Sequence, residues 1–145
     1  MSLTIRKITL WRGKIPHRPG ALAEVLEPLA ASRANLEVLM GYREPGSLDA
    51  VVELWPVSGK KMSEAVEGAG LSPSAIPTLL VNGPNRPGLG HTIARALAES
   101  GINVAFLVAQ VVGRQYSAVF GFENDADATR AAKLIRGAAS VRKRA

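Results

Sequence analysis

A glycine-rich turn in the second half of the chain carries the residues best suited to hold a small anion. It covers residues 83–90, GPNRPGLG, between an apolar run and a run of helical periodicity. Such a turn leaves backbone N–H groups and the positive end of a helix open to an anion. Asn85 lies in the turn and Asn103 follows the helical run; an Asn side chain can hold an ammonium and a carboxylate oxygen together. The alternative is that these residues only shape the turn.

The glycine spacing of this turn differs from that of the common nucleotide-binding loops. Leu89 and Gly90 stand where a P-loop needs Lys followed by Ser or Thr. Ile93 stands at the third glycine of a dinucleotide-binding fingerprint. The pattern therefore favours a small carboxylate, and we expect no nucleotide or other cofactor.

The same turn occurs once more, 68 residues earlier, as PHRPGA over residues 16–21. One constant offset aligns the two copies over about forty positions without a gap, which identifies a tandem repeat. The candidate site residues of the two copies correspond as follows: His17, Gly20, Ala21 and Asn35 stand where the second copy has Asn85, Gly88, Leu89 and Asn103. The second copy further offers Gly83, Arg86 and Gly90, with Ile15 standing in the place of Gly83.

Both repeats show the periodicity of strand, helix, strand, strand and helix. The predicted elements of the first repeat are strands over 3–12, 36–40 and 48–54 and helices over 19–33 and 62–69. Those of the second are strands over 76–81, 102–112 and 115–122, a helix over 87–100, and a last helix that Asn124 or Asp125 caps. A short fourth strand is possible at 70–75 and at 138–143. This order predicts an α+β chain of two ferredoxin-like (βαββαβ) units with antiparallel sheets, over 1–72 and 73–145.

One predicted strand is apolar on both faces. If Ile102, Val104, Phe106 and Val108 point toward the helices, then Ala105, Leu107, Ala109 and Val111 form a second apolar face. An antiparallel sheet with one wet face alternates apolar with polar residues instead. Because a small monomer would leave a sticky patch here, we expect the repeats to dock on each other and the chain to form a homodimer.

Charge and composition exclude several classes of function. The net charge of +6 arises from residues 130–145, which carry six Lys or Arg and no acid. No aromatic platform or recognition-helix pattern accompanies this basic tail, so we predict no nucleic-acid partner. The chain has no cysteine, no apolar run long enough to span a membrane and no signal-peptide core at its N-terminus. We therefore expect a cytoplasmic protein without a membrane partner.

The remaining reactive side chains form no catalytic or metal-binding pattern. His17 and His91 are the only histidines, and neither has a carboxylate or a second ligand at a useful spacing. Arg18 and Arg86 can neutralise an anion or cover an apolar edge with their stems. With no nucleophile–base arrangement in the sequence, we predict neither an enzyme nor a metal protein.

Residues 81–89 and 93–104 together resemble the ACT domain, with its strand, "N/D-R-P-G-hydrophobic" loop, helix and "G-hydrophobic-N-hydrophobic" second strand. The first repeat matches more loosely, because His17 replaces the usual Asn or Asp and Arg33-Ala34 replace Gly-Ile. ACT domains are regulatory modules that bind amino acids or other small effectors, often between two copies. The resemblance implies ligand contacts at Asn85, Gly88, Leu89 and Asn103, and more weakly at His17, Gly20, Ala21 and Asn35.

Two functions from different classes follow. The first is an effector sensor that binds an amino acid or similar small carboxylate, with the second loop as the preferred site. The second is an adaptor for a regulated protein partner, in which the apolar sheet serves assembly and the ligand site has decayed.

Overall fold

The computed structural model describes residues 3–140 and divides the chain into two compact units. The first-repeat unit comprises residues 9–75. The second-repeat unit joins the N-terminal segment, with strand β1 (Thr4–Ile8), to the chain from Ile76 onward.

The first-repeat unit packs two helices on one four-stranded antiparallel sheet. Its elements are β2 (Trp11–Pro16), α1 (Ala21–Ala31), β3 (Val38–Arg43), β4 (Asp49–Trp55), α2 (Lys60–Gly68) and β5 (Ser72–Pro73). The strand order is β3-β4-β2-β5, and β5 contributes only two residues at the edge. Aliphatic side chains fill the space between sheet and helices: Ile15, Val25, Leu29, Val52, Leu54, Val66 and Leu71.

The second-repeat unit has the same architecture with a different fourth strand. Its elements after β1 are β6 (Thr78–Pro84), α3 (Leu89–Glu99), β7 (Val104–Val112), β8 (Gln115–Phe122) and α4 (Asp125–Ser140). The strand order is β1-β6-β8-β7, antiparallel throughout. As predicted, α4 is capped by Asn124, whose Oδ1 accepts the backbone N–H of Asp127 at 2.7 Å.

The segment predicted as one strand over 3–12 is two strands that belong to different sheets. β1 pairs with β6, with Thr4 opposite Asn82, whereas β2 pairs with β4. Residues 138–140 lie in α4 and not in a fourth strand; the rest of the predicted 138–143 strand lies outside the described residues. The fourth strand of this sheet is instead β1, which pairs with β6. The structure thus divides the chain after Ile8 and after Ala75, whereas the repeat predicted one division, after residue 72.

The faces of β7 are also exchanged relative to the prediction. Leu107, Ala109 and Val111 lie opposite Phe120, Ala118 and Tyr116, which are core residues on the helix side of the sheet. Cross-strand partners share a face, so these three residues lie on the helix side and Val108 on the other. The cause is a register shift between Val104 and Phe106, since one extra residue in a strand reverses its alternation. β7 is an edge strand, and its side chains are largely exposed on both faces.

No helix within residues 3–140 has the length and hydrophobicity that a transmembrane span requires.

Candidate ligand-binding loops

Both repeats build the same turn between their first strand and first helix. Gly20 (φ 88°) and Gly88 (φ 79°) are the N-cap residues of α1 and α3, in the left-handed conformation that glycine adopts without strain. Neither helix has a side-chain cap. The N–H groups of Ala21 and Leu89, which begin the two helices, donate to Arg18 O and Arg86 O, at 3.3 and 3.2 Å. The next N–H groups of each first turn, including that of Gly90, have no acceptor among residues 3–140 and remain available to a ligand anion.

The second loop brings together three of the predicted site residues. Asn85, Arg86 and Leu89 line a small cavity of about 190 Å³, together with Leu3, Pro84 and Ala139. The backbone N–H of Asn85 donates to Arg114 O at 2.8 Å, which attaches the loop to the β7–β8 turn. The Asn85 side chain is exposed, so its amide can reach a ligand.

Arg86 has a structural role in this loop. Its Nη2 donates to Ala138 O at 3.1 Å and its Nη1 to Ala139 O at 3.3 Å. These carbonyls belong to the last turn of α4, where a helix leaves acceptors unpaired and favours a positive charge. Arg86 therefore stabilises the end of α4 in addition to lining the cavity.

The first loop borders a larger cavity, of about 300 Å³, between α1 and the ends of β2, β3 and β4. Its lining comprises Ile15, Pro16, His17, Arg18, Ala21, Leu22, Gly41, Tyr42, Arg43, Ala50, Val51 and Val52. Two predicted site residues, His17 and Ala21, thus lie together in one cavity. The Arg18 guanidinium makes two hydrogen bonds to the Glu24 carboxylate, at 2.8 and 3.0 Å, and so keeps the pKa of Glu24 below its usual value.

The two predicted asparagines of the second strands do not join these cavities within a repeat. Asn35 lines a separate, polar cavity of about 730 Å³ with Arg33, Lys60 and Lys61. That cavity lies beyond the C-terminal end of α1, whereas His17 precedes its N-terminus, and eleven helical residues separate the ends by about 16 Å. Asn103 likewise follows α3 and is exposed. Neither Asn therefore lines the loop cavity of its own repeat.

Among the residues of the first cavity that sequence reasoning missed are Gly41, Arg43 and Ala50. Gly41 carried a usable signal, since a lone glycine inside a strand pattern often marks a place that another group approaches closely. Arg43 and Ala50 carried none, because they meet the loop only through strand pairing.

A buried carboxylate on β4 is only partly paired, because Glu53 Oε1 has no hydrogen-bond partner within residues 3–140. Glu53 accepts a hydrogen bond from Tyr42 Oη at 3.0 Å and has Arg12 Nε at 3.9 Å. Burial, together with this contact, raises the pKa of Tyr42 above its usual value. Among residues 3–140 no three His, Asp or Glu side chains lie close enough to hold a metal ion.

The comparisons with known proteins agree on the fold. No family model and no curated protein matches this chain. Its structure is similar to that of a protein from Bacteroides thetaiotaomicron (TM-score 0.72, 17% identity, 89% of this chain and 88% of that one). It is also similar to the ligand-free regulatory subunit of aspartate kinase from Thermus thermophilus (TM-score 0.66, 17% identity, 95% and 97%). The regulatory subunit from Thermus flavus gives a TM-score of 0.60 at 17% identity, over 95% and 97%.

At these identities the likeness is one of fold. The chain has an α+β fold of two tandem ferredoxin-like units, and the solved structures to which it is similar include regulatory subunits of aspartate kinase.

Proposed function

We propose that this chain is a non-catalytic regulatory module that binds an amino acid or a similar small carboxylate at its strand–helix loops. One observation carries the proposal: in each repeat a left-handed glycine opens the N-terminus of a helix beside a cavity. Open N–H groups and the helix dipole favour a carboxylate there. The similarity in fold to regulatory subunits supports the same function.

A thermal-shift screen tests this function directly. A ligand that binds only the folded state raises the melting temperature. At a ligand concentration of a hundred times its Kd, it increases the free energy of unfolding by about 2.7 kcal/mol. We expect at least one of the twenty amino acids or their 2-oxo acids to give a saturable rise, and calorimetry to give a matching Kd. If no compound shifts the melting temperature and none gives heat of binding at millimolar concentration, the chain is not an effector sensor.

We further propose that the functional species is a homodimer. β7 is an exposed edge strand of nine residues, of which only Gln110 is polar. Leu107, Val108 and Val111 are each about half exposed. A long apolar edge offers unpaired backbone groups and apolar side chains to another chain, so natural proteins rarely leave one uncovered.

The same edge favours a second candidate function, an adaptor that binds a regulated protein partner through β7. The two functions predict different results when effector binding and partner binding are measured. A sensor binds its effector whether or not the partner is present, whereas an adaptor binds no effector and loses its partner when β7 is made polar.

A further inference from the structure

The two repeats differ in what stands opposite their first strands. On the helix side of the sheet, Ile15 of β2 pairs with Ala50, whereas Gly83 of β6 pairs with Tyr116. The Tyr116 side chain is only 5% exposed and belongs to the core of its unit. A large side chain thus occupies the register position at which the first repeat has a methyl group.

The first strand of each hairpin also differs between the repeats. Gly41 of β3 lies opposite Val52, and its counterpart Ala109 of β7 lies opposite Ala118. A Cβ atom added to Gly41 would have no atom within 4 Å. Gly41 and Ala50 are thus smaller than their counterparts Ala109 and Tyr116, and both line the cavity of the first repeat.

The cavity that results has apolar walls and a basic rim. Its apolar surface comes from Ile15, Ala21, Leu22, Ala50 and Val52, and its rim carries His17, Arg18 and Arg43. None of its lining residues is an acid. Glu24 already engages Arg18, whereas the Arg43 guanidinium has no hydrogen bond or ion pair with any residue of 3–140. Arg43 is thus the cation available to a ligand carboxylate.

We propose that the first-repeat cavity is the effector site of this chain and that it selects a small monocarboxylate with an apolar side chain. This inference rests on the proposed function and reverses the preference for the second loop that the sequence indicated. A cavity of about 300 Å³ is at the lower end for small-molecule sites, which limits the ligand to the size of a single amino acid. With no lining acid to pair with an ammonium, a branched-chain 2-oxo acid binds at least as well as its amino acid.

The test compares matched substitutions in the two repeats by calorimetry, with leucine, its 2-oxo acid and aspartate as probes. Gly41→Val fills the first cavity, and a β-branched residue suits a strand. Ala109→Val makes the corresponding change in the second repeat and is the control. We expect the two apolar probes to bind the wild type at least tenfold tighter than aspartate. Gly41→Val then weakens them by at least tenfold, and Ala109→Val leaves them unchanged.

A second variant keeps the test decisive if Gly41→Val lowers the melting temperature. Arg43→Gln changes an exposed side chain, and losing one hydrogen bond to a charged group weakens carboxylate binding by about tenfold or more. The opposite pattern would place the site in the second repeat: Ala109→Val or Asn85→Ala would weaken binding, and Gly41→Val and Arg43→Gln would not. That result overturns this inference but leaves the proposed function standing. Tighter binding of aspartate overturns the apolar selectivity. Failure of the wild type to bind any amino or 2-oxo acid overturns the proposed function itself.

Discussion

The guanidinium of Arg86 donates to the carbonyl oxygen of Ala138, 3.1 Å away, and so connects the second loop to the end of α4. The corresponding arginine of the first repeat, Arg18, pairs instead with Glu24 of its own helix. Two residues at the same place in a repeat thus make contacts of very different range, one over 52 positions of sequence and one over six.

This difference predicts unequal effects on stability. Arg86→Ala removes charged hydrogen bonds from a half-buried position, so we expect it to lower the free energy of unfolding by about 1–3 kcal/mol. Arg18→Ala removes an exposed ion pair that solvent screens, so we expect a much smaller loss. Urea denaturation of both variants measures the difference. Equal losses would show that the contact with α4 contributes little.

Two glycines that face the same residue of β4 are predicted to respond in opposite ways. Gly13 and Gly41 both pair with Val52. A Cβ on Gly13 would lie 2.8 Å from the backbone oxygen of Gly70, so Gly13→Ala forces the backbone apart and costs about 1–3 kcal/mol. Gly41→Ala meets no atom and restricts the unfolded chain, which stabilises by about 0.4–1 kcal/mol. The denaturant midpoints of both variants measure these changes in stability. A lower midpoint for Gly41→Ala would contradict the prediction.

The burial of Tyr116 leads us to predict a loss of stability at high pH. Burial raises its pKa above the usual value of about 10. The folded pKa therefore exceeds the unfolded one, and the stabilising difference is present below pH 10 and is lost as the pH rises through the folded pKa. Tyr116→Phe should leave the melting temperature at pH 8 nearly unchanged and reduce its fall above pH 10. An identical alkaline fall in wild type and variant would contradict this role.

The assembly prediction is tested by placing a charge on β7. Leu107→Glu introduces a carboxylate into the proposed dimer edge at a residue that is 49% exposed, so we expect light scattering to report the 15.3 kDa monomer. Leu48→Glu is the control, because Leu48 is a large exposed apolar residue (87%) in the turn before β4. A wild type that is already monomeric at micromolar concentration, or a variant that remains dimeric, argues against the β7 interface.

The basic tail is predicted to be dispensable. Residues 142–145 lie outside the described part of the chain, and the last buried residue within that part is Ala139. Deleting 142–145 should therefore leave the melting temperature and effector binding unchanged. Deleting 138–145 also removes the carbonyls that Arg86 contacts and should lower the melting temperature. A loss of ligand binding in the shorter deletion would assign the tail to the site.

The sequence alone determined the repeat, the α+β class and the positions of the two glycine turns. These features are local: helical and strand periodicity, the Pro-Gly that begins α1 and α3, and the two-residue turn that joins β7 to β8 can each be identified within a few neighbouring residues. The residues of the second-loop cavity, Asn85, Arg86 and Leu89, were found for the same reason, since they are close in sequence.

Strand partners were decided only by tertiary structure. The alternation of residues 3–12 suits either sheet, and the place of β1 beside β6 depends on partner residues 70 or more positions away in the sequence. The register shift in β7 reverses its faces in the same non-local way, because a bulge is defined only against the neighbouring strand.

The cavity of the first repeat also depends on strand pairing that the sequence alone does not reveal. A constant offset of 68 aligns Ala50 with Ala118, two equally small residues. Five residues join β3 to β4, whereas two join β7 to β8, and the pairing with the first strand is displaced accordingly. Tyr116, and not Ala118, therefore stands in the place of Ala50. The shape of the first-repeat cavity thus depends on hairpin register, because register determines which side chains share a face.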